Sequence, residues 1–350
     1  KKTGQLVSMK RDGVERLVRP VELDVFRCPV GGDESVPGRG IFPTWTLNGL
    51  RDMRPVSGLA RRDGELIRTV TVYRGAAAEE IWGAAGIHGF RGCRPKIVRA
   101  GDIPATGTTY RVTCEWSADA SGALKAQCVF RQEGYPLDPP RVGLRFAFVQ
   151  AERDVAWFGC GPWDNYPDRR SGSFVARWQL PMDAFMFAYD RNSDTGVRES
   201  VRDVTLAANG LAVRAVGRPF SMAVTPWTPT EQTLAVHPQE YPPASKTELG
   251  LYARVRGMGS NNCGPVPLRR DTILPTDVEA SWVWMPGDSG MAKVGEATLD
   301  VHPTGGNATD PVFLKFRNEF EVKEGDGKLT IDVSADERFY LTCDGAFVAR

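Results

Sequence analysis

The sequence predicts an all-β protein whose strands form two sheets packed face to face. Three observations carry that expectation. Five segments alternate apolar with polar residues at period two, the spacing that turns one side of a strand to a core and the other to water. Turn-forming residues are abundant, with 37 Gly and 25 Pro in 350 residues. No window sustains helical spacing with a cap at both ends.

Taken in order, the alternating segments are 68–73, 109–116, 124–130, 142–149 and 211–216. Between the first two, residues 76–82, rich in alanine, read as one short helix. Clusters of Gly, Pro and Asp at 119–122, 134–140 and 209–210 separate the later strands. Many strands of moderate length with this periodicity bury their apolar sides only against a second sheet.

At this length the chain holds two domains or one large all-β domain. Hydrophobic residues at 41% and charged residues at 25% are ordinary for a globular protein. With 44 Lys plus Arg against 43 Asp plus Glu, the net charge of +1 offers no electrostatic footprint for nucleic acid or an acidic membrane surface. No apolar run approaches the ~20 residues of a membrane-spanning helix. The chain opens on Lys1-Lys2-Thr3-Gly4 and shows no signal peptide. A piece of a longer polypeptide is the expectation.

Seven cysteines, at 28, 93, 114, 128, 160, 263 and 343, are scattered without a C-x-x-C pair. An odd count in that pattern argues against a zinc site and against a complete disulfide framework. Cys114, between Val112 and Trp116, is expected to be a buried free thiol acting as a small hydrophobe. Three histidines are too few for a histidine-based metal cluster. No metal or cofactor is expected, and the compartment is left open.

Residues 157–178 are the densest in chemistry. Trp157 and Phe158 lead into Gly161-Pro162, then Trp163, Asp164, Asn165, Tyr166, Pro167, Asp168 and Arg169, with a second aromatic run from Phe174 to Trp178. Such a turn reads in two ways. It is a structural corner tied down by Asp168 and Arg169, or a sugar-facing loop in which rings stack and carboxylates grip hydroxyls. The chemistry alone favours the corner.

This stretch resembles the G-P-x-E-N-Y-P-D-R signature of the β-galactosidase small-chain region, the last domain of the large retaining β-galactosidases. Asp164 stands where that family has Glu, and Asn165 to Arg169 match outright. Other segments resemble the family in the same order. They are Thr3 to Leu6, Arg27-Cys28-Pro29 with Asp33, the run from Gly196 to Arg202, His237-Pro238, and Gly257 to Pro265 with its G-x-G-S-x-x-C-G-P pattern. The resemblance implies a supersandwich, the fold shared with galactose mutarotase, over residues 1–290.

After Trp284 the text changes. Residues 286–290 and 303–307 read as linker or long turn, and strand signals resume at 312–322 and 328–334. The end, with a strand, an Asp344-Gly345 hairpin turn and another strand, resembles the opening β-sandwich of α-L-rhamnosidase-type enzymes. Residues 291–350 are thus expected to be the start of a second, truncated β-sandwich, too small to bury a core alone.

Retaining glycosidases need two carboxylates about 5–5.5 Å apart. In the β-galactosidase family both come from a (β/α)₈ barrel, and no alternating strand–helix pattern occurs here. Asn318-Glu319 reads as a solvated strand edge, and no nucleophile elbow, P-loop or dinucleotide fingerprint is present. Asn307-Ala308-Thr309 fits a glycosylation acceptor, a pattern common by chance. The family places a rim aromatic where this chain has Glu248, and an aspartate where it has Tyr252. Both departures weaken the resemblance's implication that this domain helps hold galactose in the usual way.

No catalytic residue is therefore expected in this chain. The candidate carbohydrate-binding residues are Arg27, Asp33, Trp163, Asp164, Asn165, Tyr166, Tyr252 and Asn262. Each has a scaffold alternative: a loop-fixing salt bridge for Arg27 and Asp33, a packed strand tyrosine for Tyr252, a left-handed turn for Asn262. His237 reads as a hydrogen-bonded structural residue. The resemblance implies a non-catalytic, carbohydrate-binding-type domain of a glycoside hydrolase. Its expected partners are a β-galactoside or related carbohydrate and the catalytic domain of the same polypeptide or complex. The alternatives are an appended module of an α-L-rhamnosidase-type protein and a purely structural interaction module.

Overall fold

The computed structural model describes residues 3–34, 41–77, 80–81, 98–99, 106–134, 136–187, 189–190, 193–235, 237–260, 264–287, 298–302, 313–317, 341–343 and 346–349. The chain divides into two compact units, Lys1–Gly287 and Asp288–Arg350.

The first unit opens with a small hairpin, β1 (Lys10–Arg11) and β2 (Val14–Glu15), followed by β3 (Glu22–Asp24). Short helices α1 (Gly31–Glu34) and α2 (Phe42–Leu47) and a 3₁₀ turn (Leu50–Asp52) lead to the long hairpin of β4 (Arg54–Asp63) and β5 (Leu66–Gly75). A two-residue pair, β6 (Glu80–Ile81) and β7 (Val98–Arg99), precedes β8 (Thr108–Ala118), β9 (Leu124–Glu133), β10 (Arg141–Phe148), β11 (Asp154–Gly161) and β12 (Phe174–Pro181). Helix α3 (Met182–Phe185), β13 (Val197–Val201), β14 (Asp203–Leu206), β15 (Leu211–Ala215), β16 (Phe220–Thr225), α4 (Pro229–Leu234), β17 (Thr247–Val255) and β18 (Val278–Pro286) complete it.

Two antiparallel sheets form the body. One has five strands in the order β13-β16-β17-β10-β3; the other has nine, β12-β11-β14-β15-β18-β9-β8-β5-β4. They close on one large core in which Phe146 and Phe148 of β10 meet Trp284 of β18, ring centroids 4.9 and 5.6 Å apart. This is the all-β supersandwich that the sequence predicts. In the second unit, β19 (Thr298–His302) pairs with β20 (Phe313–Arg317) and β21 (Leu341–Cys343) with β22 (Ala346–Ala349). Asn307, Asn318 and Glu319 lie outside the described residues.

Two of the five predicted strands, β8 and β9, keep their alternation. β5 buries Thr71 and Tyr73 while Val70 and Val72 are half-buried, and β15 buries Leu211, Ala212 and Val213 in succession. β10 is buried along its whole length, because it lies between β17 and β3 and both its faces are covered. Val142, Leu144, Phe146 and Phe148 enter the large core. Arg141, Gly143, Arg145 and Ala147 turn to the opposite face, where a smaller cluster around Tyr166, Ala223, Tyr252 and Met258 sits.

Two further expectations are corrected. Residues 76–82 do not make a helix: Ala76 and Ala77 are irregular, and Glu80–Ile81 is a strand paired with Val98–Arg99. A Cβ on Gly49 would stand 2.6 Å from the Ala76 nitrogen, so the chain here is held by backbone packing rather than by alanine's helical preference. Cys114 is not a free thiol. It is disulfide-bonded to Cys128, its direct cross-strand partner between β8 and β9, since strand pairing brings together two residues that spacing alone does not connect.

Candidate functional site

The outer face of the five-stranded sheet carries a buried array of ion pairs, and most candidate residues belong to it. Asp24 on β3 accepts hydrogen bonds from the Arg145 guanidinium on β10 and from the Tyr252 hydroxyl on β17 (2.7 Å). Tyr252 reaches Asp24 because its ring lies back over Gly250. A Cβ there would fall 1.9 Å from the hydroxyl oxygen, so any larger residue displaces the ring. Burial pushes the Tyr252 phenol well above its ordinary pKa, which keeps it a neutral donor.

Arg141 is the next link. It donates to Asp194 (3.1 Å) and to the Phe26 carbonyl (2.7 Å), and its guanidinium stands 5.0 Å from the centre of the Tyr252 ring. Asp194 in turn accepts from the Tyr166 hydroxyl at 2.9 Å. Arg27 grips Asp33 through both ends of its fork, at 2.9 and 2.7 Å, and donates to the Arg256 carbonyl. Burial works against the charge on Arg27, but the Asp33 carboxylate outweighs it and raises the pKa. Arg256 closes the array on Asp138 at 2.6 Å.

The signature corner begins where β11 ends. Asp164 accepts from the Gly196 N–H (2.9 Å), the Thr195 hydroxyl (2.9 Å) and Arg198 (2.5 Å). Burial raises the Asp164 pKa in spite of Arg198. Asn165 donates to the Trp163 carbonyl and accepts from the Glu199 N–H. Asp168 accepts from the N–H groups of Met258 and Gly259, and Arg169 donates to the Gly259 carbonyl. The two thus clamp the 257–259 loop. Gly257 is required there, since a Cβ would meet the Asp168 carboxylate at 2.6 Å. The Trp163 ring faces solvent, 66% exposed.

The structure thus brings Arg27, Asp33, Tyr166 and Tyr252 into the buried array, each paired inside the protein. Asn165 is buried in the corner, Asp164 is partly buried beside it, and Trp163 faces solvent. Asn262 lies outside the described residues. His237 is hydrogen-bonded through Nδ1 with the Asp190 carbonyl at 2.9 Å. Sequence reasoning missed Asp24, Arg141, Arg145 and Asp194. Two arginines inside the otherwise apolar run 141–148 were the available signal.

The remaining buried carboxylates among the described residues are also held. Glu199 pairs with Arg170, Asp203 with Arg177, Glu248 with Arg19 and Lys246, and Asp271 with Arg270. Glu152 accepts from the N–H groups of Ala208 and Asn209. At the edge of β3 the array borders a cleft of about 260 Å³. Asp24 and Arg145 form its inner wall, Leu50 and Met53 its apolar side, and Arg54 and Thr228 its rim.

Residues 1–284 match the family model described as Beta galactosidase small chain. Among curated proteins, the β-galactosidase of Erwinia tasmaniensis is 38% identical over 118 residues, 30% of this chain and 12% of that protein. The β-galactosidase of Arthrobacter sp. strain B7 is 32% identical over 139 residues, 38% of this chain and 14% of that protein. That of Enterobacter cloacae is 25% identical over 221 residues, 60% of this chain and 18% of that protein. The matched region is therefore a small part of each relative. Among solved structures, the GalM/aldose epimerase homologue from C. elegans aligns with 79% of this chain and 77% of its own, at 9% identity and a TM-score of 0.33.

Proposed function

The chain belongs to the β-galactosidase small-chain family, and from that membership we propose that it is a non-catalytic, carbohydrate-contacting domain of a β-galactosidase-type glycoside hydrolase. The reacting carboxylates are supplied by another domain of the same polypeptide or complex. One observation carries this reading: every buried carboxylate of the described residues is already committed to a cation or to N–H donors. Double displacement needs one carboxylate free to attack and a second free to give a proton. Carboxylates already held by cations or N–H donors do neither.

Carbohydrate contact is assigned to the corner, where Trp163 offers an exposed ring beside Asp164. The test combines hydrolysis of a chromogenic β-galactoside with calorimetric titration of galactose, lactose and rhamnose. The chain alone is expected to show no turnover, and Trp163→Ala is expected to weaken sugar binding several-fold. Turnover by the isolated chain, lost on replacing one of its carboxylates, would overturn the assignment of catalysis to another domain. Sugar binding indifferent to Trp163→Ala would overturn the assignment of the corner.

A further inference from the structure

Among the described residues of the first unit, four aromatic side chains are exposed: Trp163, Phe174, Phe187 and Tyr189. All four belong to the signature corner. Phe174 opens β12 directly opposite Gly161, two residues before Trp163. Phe187 and Tyr189 follow α3, and hydrogen bonds tie their segment to Asp164. The Phe187 N–H donates to the Thr195 hydroxyl oxygen at 2.8 Å, and that hydroxyl donates to Asp164 at 2.9 Å. These links hold the Cα atoms of Trp163 and Phe187 within about 15 Å of each other.

Phe187 and Tyr189 form a pair. The Tyr189 N–H donates to the Phe187 carbonyl at 3.2 Å, and the ring centroids stand 4.5 Å apart. Among the described residues no ring contact joins Trp163 to that pair, so the corner offers two separate aromatic surfaces. Polar groups accompany them. Burial, foremost, and the nearby Asp164 carboxylate raise the Tyr189 pKa, which keeps its hydroxyl a neutral donor. The Asp164 side chain is 14% exposed. Arg169 gives an N–H to the Gly259 carbonyl and is itself exposed. Exposed apolar side chains gathered on one surface mark a binding site. Rings accompanied by a phenol, a carboxylate and a guanidinium match the C–H faces and hydroxyls of sugars.

We propose that the corner is a platform for an oligosaccharide, with one sugar of the chain on Trp163 and another, further along, on the Phe187–Tyr189 pair. This rests on the reading of the corner as the carbohydrate contact and adds the size of the ligand. A single sugar covers one aromatic surface only. In a chain, the second contact forms within a complex already made, so it strengthens binding without a second loss of translational freedom.

The experiment is calorimetric titration of the full chain with galactose and with β-linked galactotetraose. The tetraose is expected to bind at least roughly tenfold tighter than galactose. Phe187→Ala, at an exposed position where folding is checked by circular dichroism, is expected to bring the tetraose down to the affinity of galactose. The same variant should leave galactose binding itself unchanged, whereas Trp163→Ala should weaken both sugars. Leu59→Ala, at an exposed position on β4 at the far edge of the nine-stranded sheet, is expected to change neither. A tetraose that binds no tighter than galactose, or a gain with chain length that survives Phe187→Ala, overturns the platform and leaves the Trp163 assignment standing. Failure of both sugars to bind, or binding indifferent to Trp163→Ala, overturns the corner reading and the platform with it.

Discussion

At the residue scale the protein is organised by arginine. Arg27, Arg141, Arg145 and Arg256 lie buried on one sheet face, and each finds a carboxylate. A charge taken out of water is costly unless it is paired and hydrogen-bonded on every side. These pairs meet that condition: Arg27 uses Asp33, two backbone carbonyls and the rings of Trp45 and Tyr166. Removing one partner leaves the other orphaned. Asp33→Asn is therefore expected to destabilise the fold by about 3–5 kcal/mol, measured by chemical denaturation. Replacing Arg27 and Asp33 together with apolar residues of similar volume should cost much less. Equal losses for the single and double variants would contradict the account.

Elements are joined by groups that the strand pattern does not reveal. The β1–β2 hairpin is secured by Glu15, whose carboxylate accepts from the Ser8 hydroxyl and from the N–H groups of Leu17, Met9 and Arg16. The Ser8 hydroxyl foremost, with those N–H groups, holds the Glu15 pKa at about 2, below the ordinary 4.5. A pKa lowered on folding adds stability above pH 4.5 that is lost as pH falls toward 2. Glu15→Gln is expected to lower the melting temperature at pH 7. The difference from the parent chain should shrink across that acid range and vanish near pH 2. A difference that persists unchanged at pH 2 would show that the hydrogen bonds to the charged form are not the cause. The Cys114–Cys128 disulfide acts at the same scale, locking β8 to β9 in the register that the backbone already sets.

For the molecule as a whole, the two sheets are one structure because their inner faces share a core. Phe146 is fully buried and touches Trp284 across it. Phe146→Ala is expected to cost about 3–5 kcal/mol. Because the residue stands between both sheets, the denaturation midpoints read by far- and near-ultraviolet circular dichroism should fall together. A shift seen by one probe alone would mean that the sheets unfold separately. The outer faces divide the labour. The nine-stranded sheet shows water a ladder of exposed ion pairs, each worth little, whereas the outer face of the five-stranded sheet keeps its charges buried and paired.

The sequence by itself determined the all-β class, the strands whose two sides meet different surroundings, and the family signature from Gly161 to Arg169. Each is written in neighbouring residues, and period-two alternation needs no knowledge of distant contacts. Only the tertiary structure decided that β10 is covered on both faces, that Cys114 meets Cys128, and that Asp24, Arg141 and Asp194 form one array. Asp24 and Tyr252 stand 228 residues apart and meet through a 2.7 Å hydrogen bond. No local pattern encodes such a pair, because the low dielectric that makes it necessary exists only once the sheets have closed.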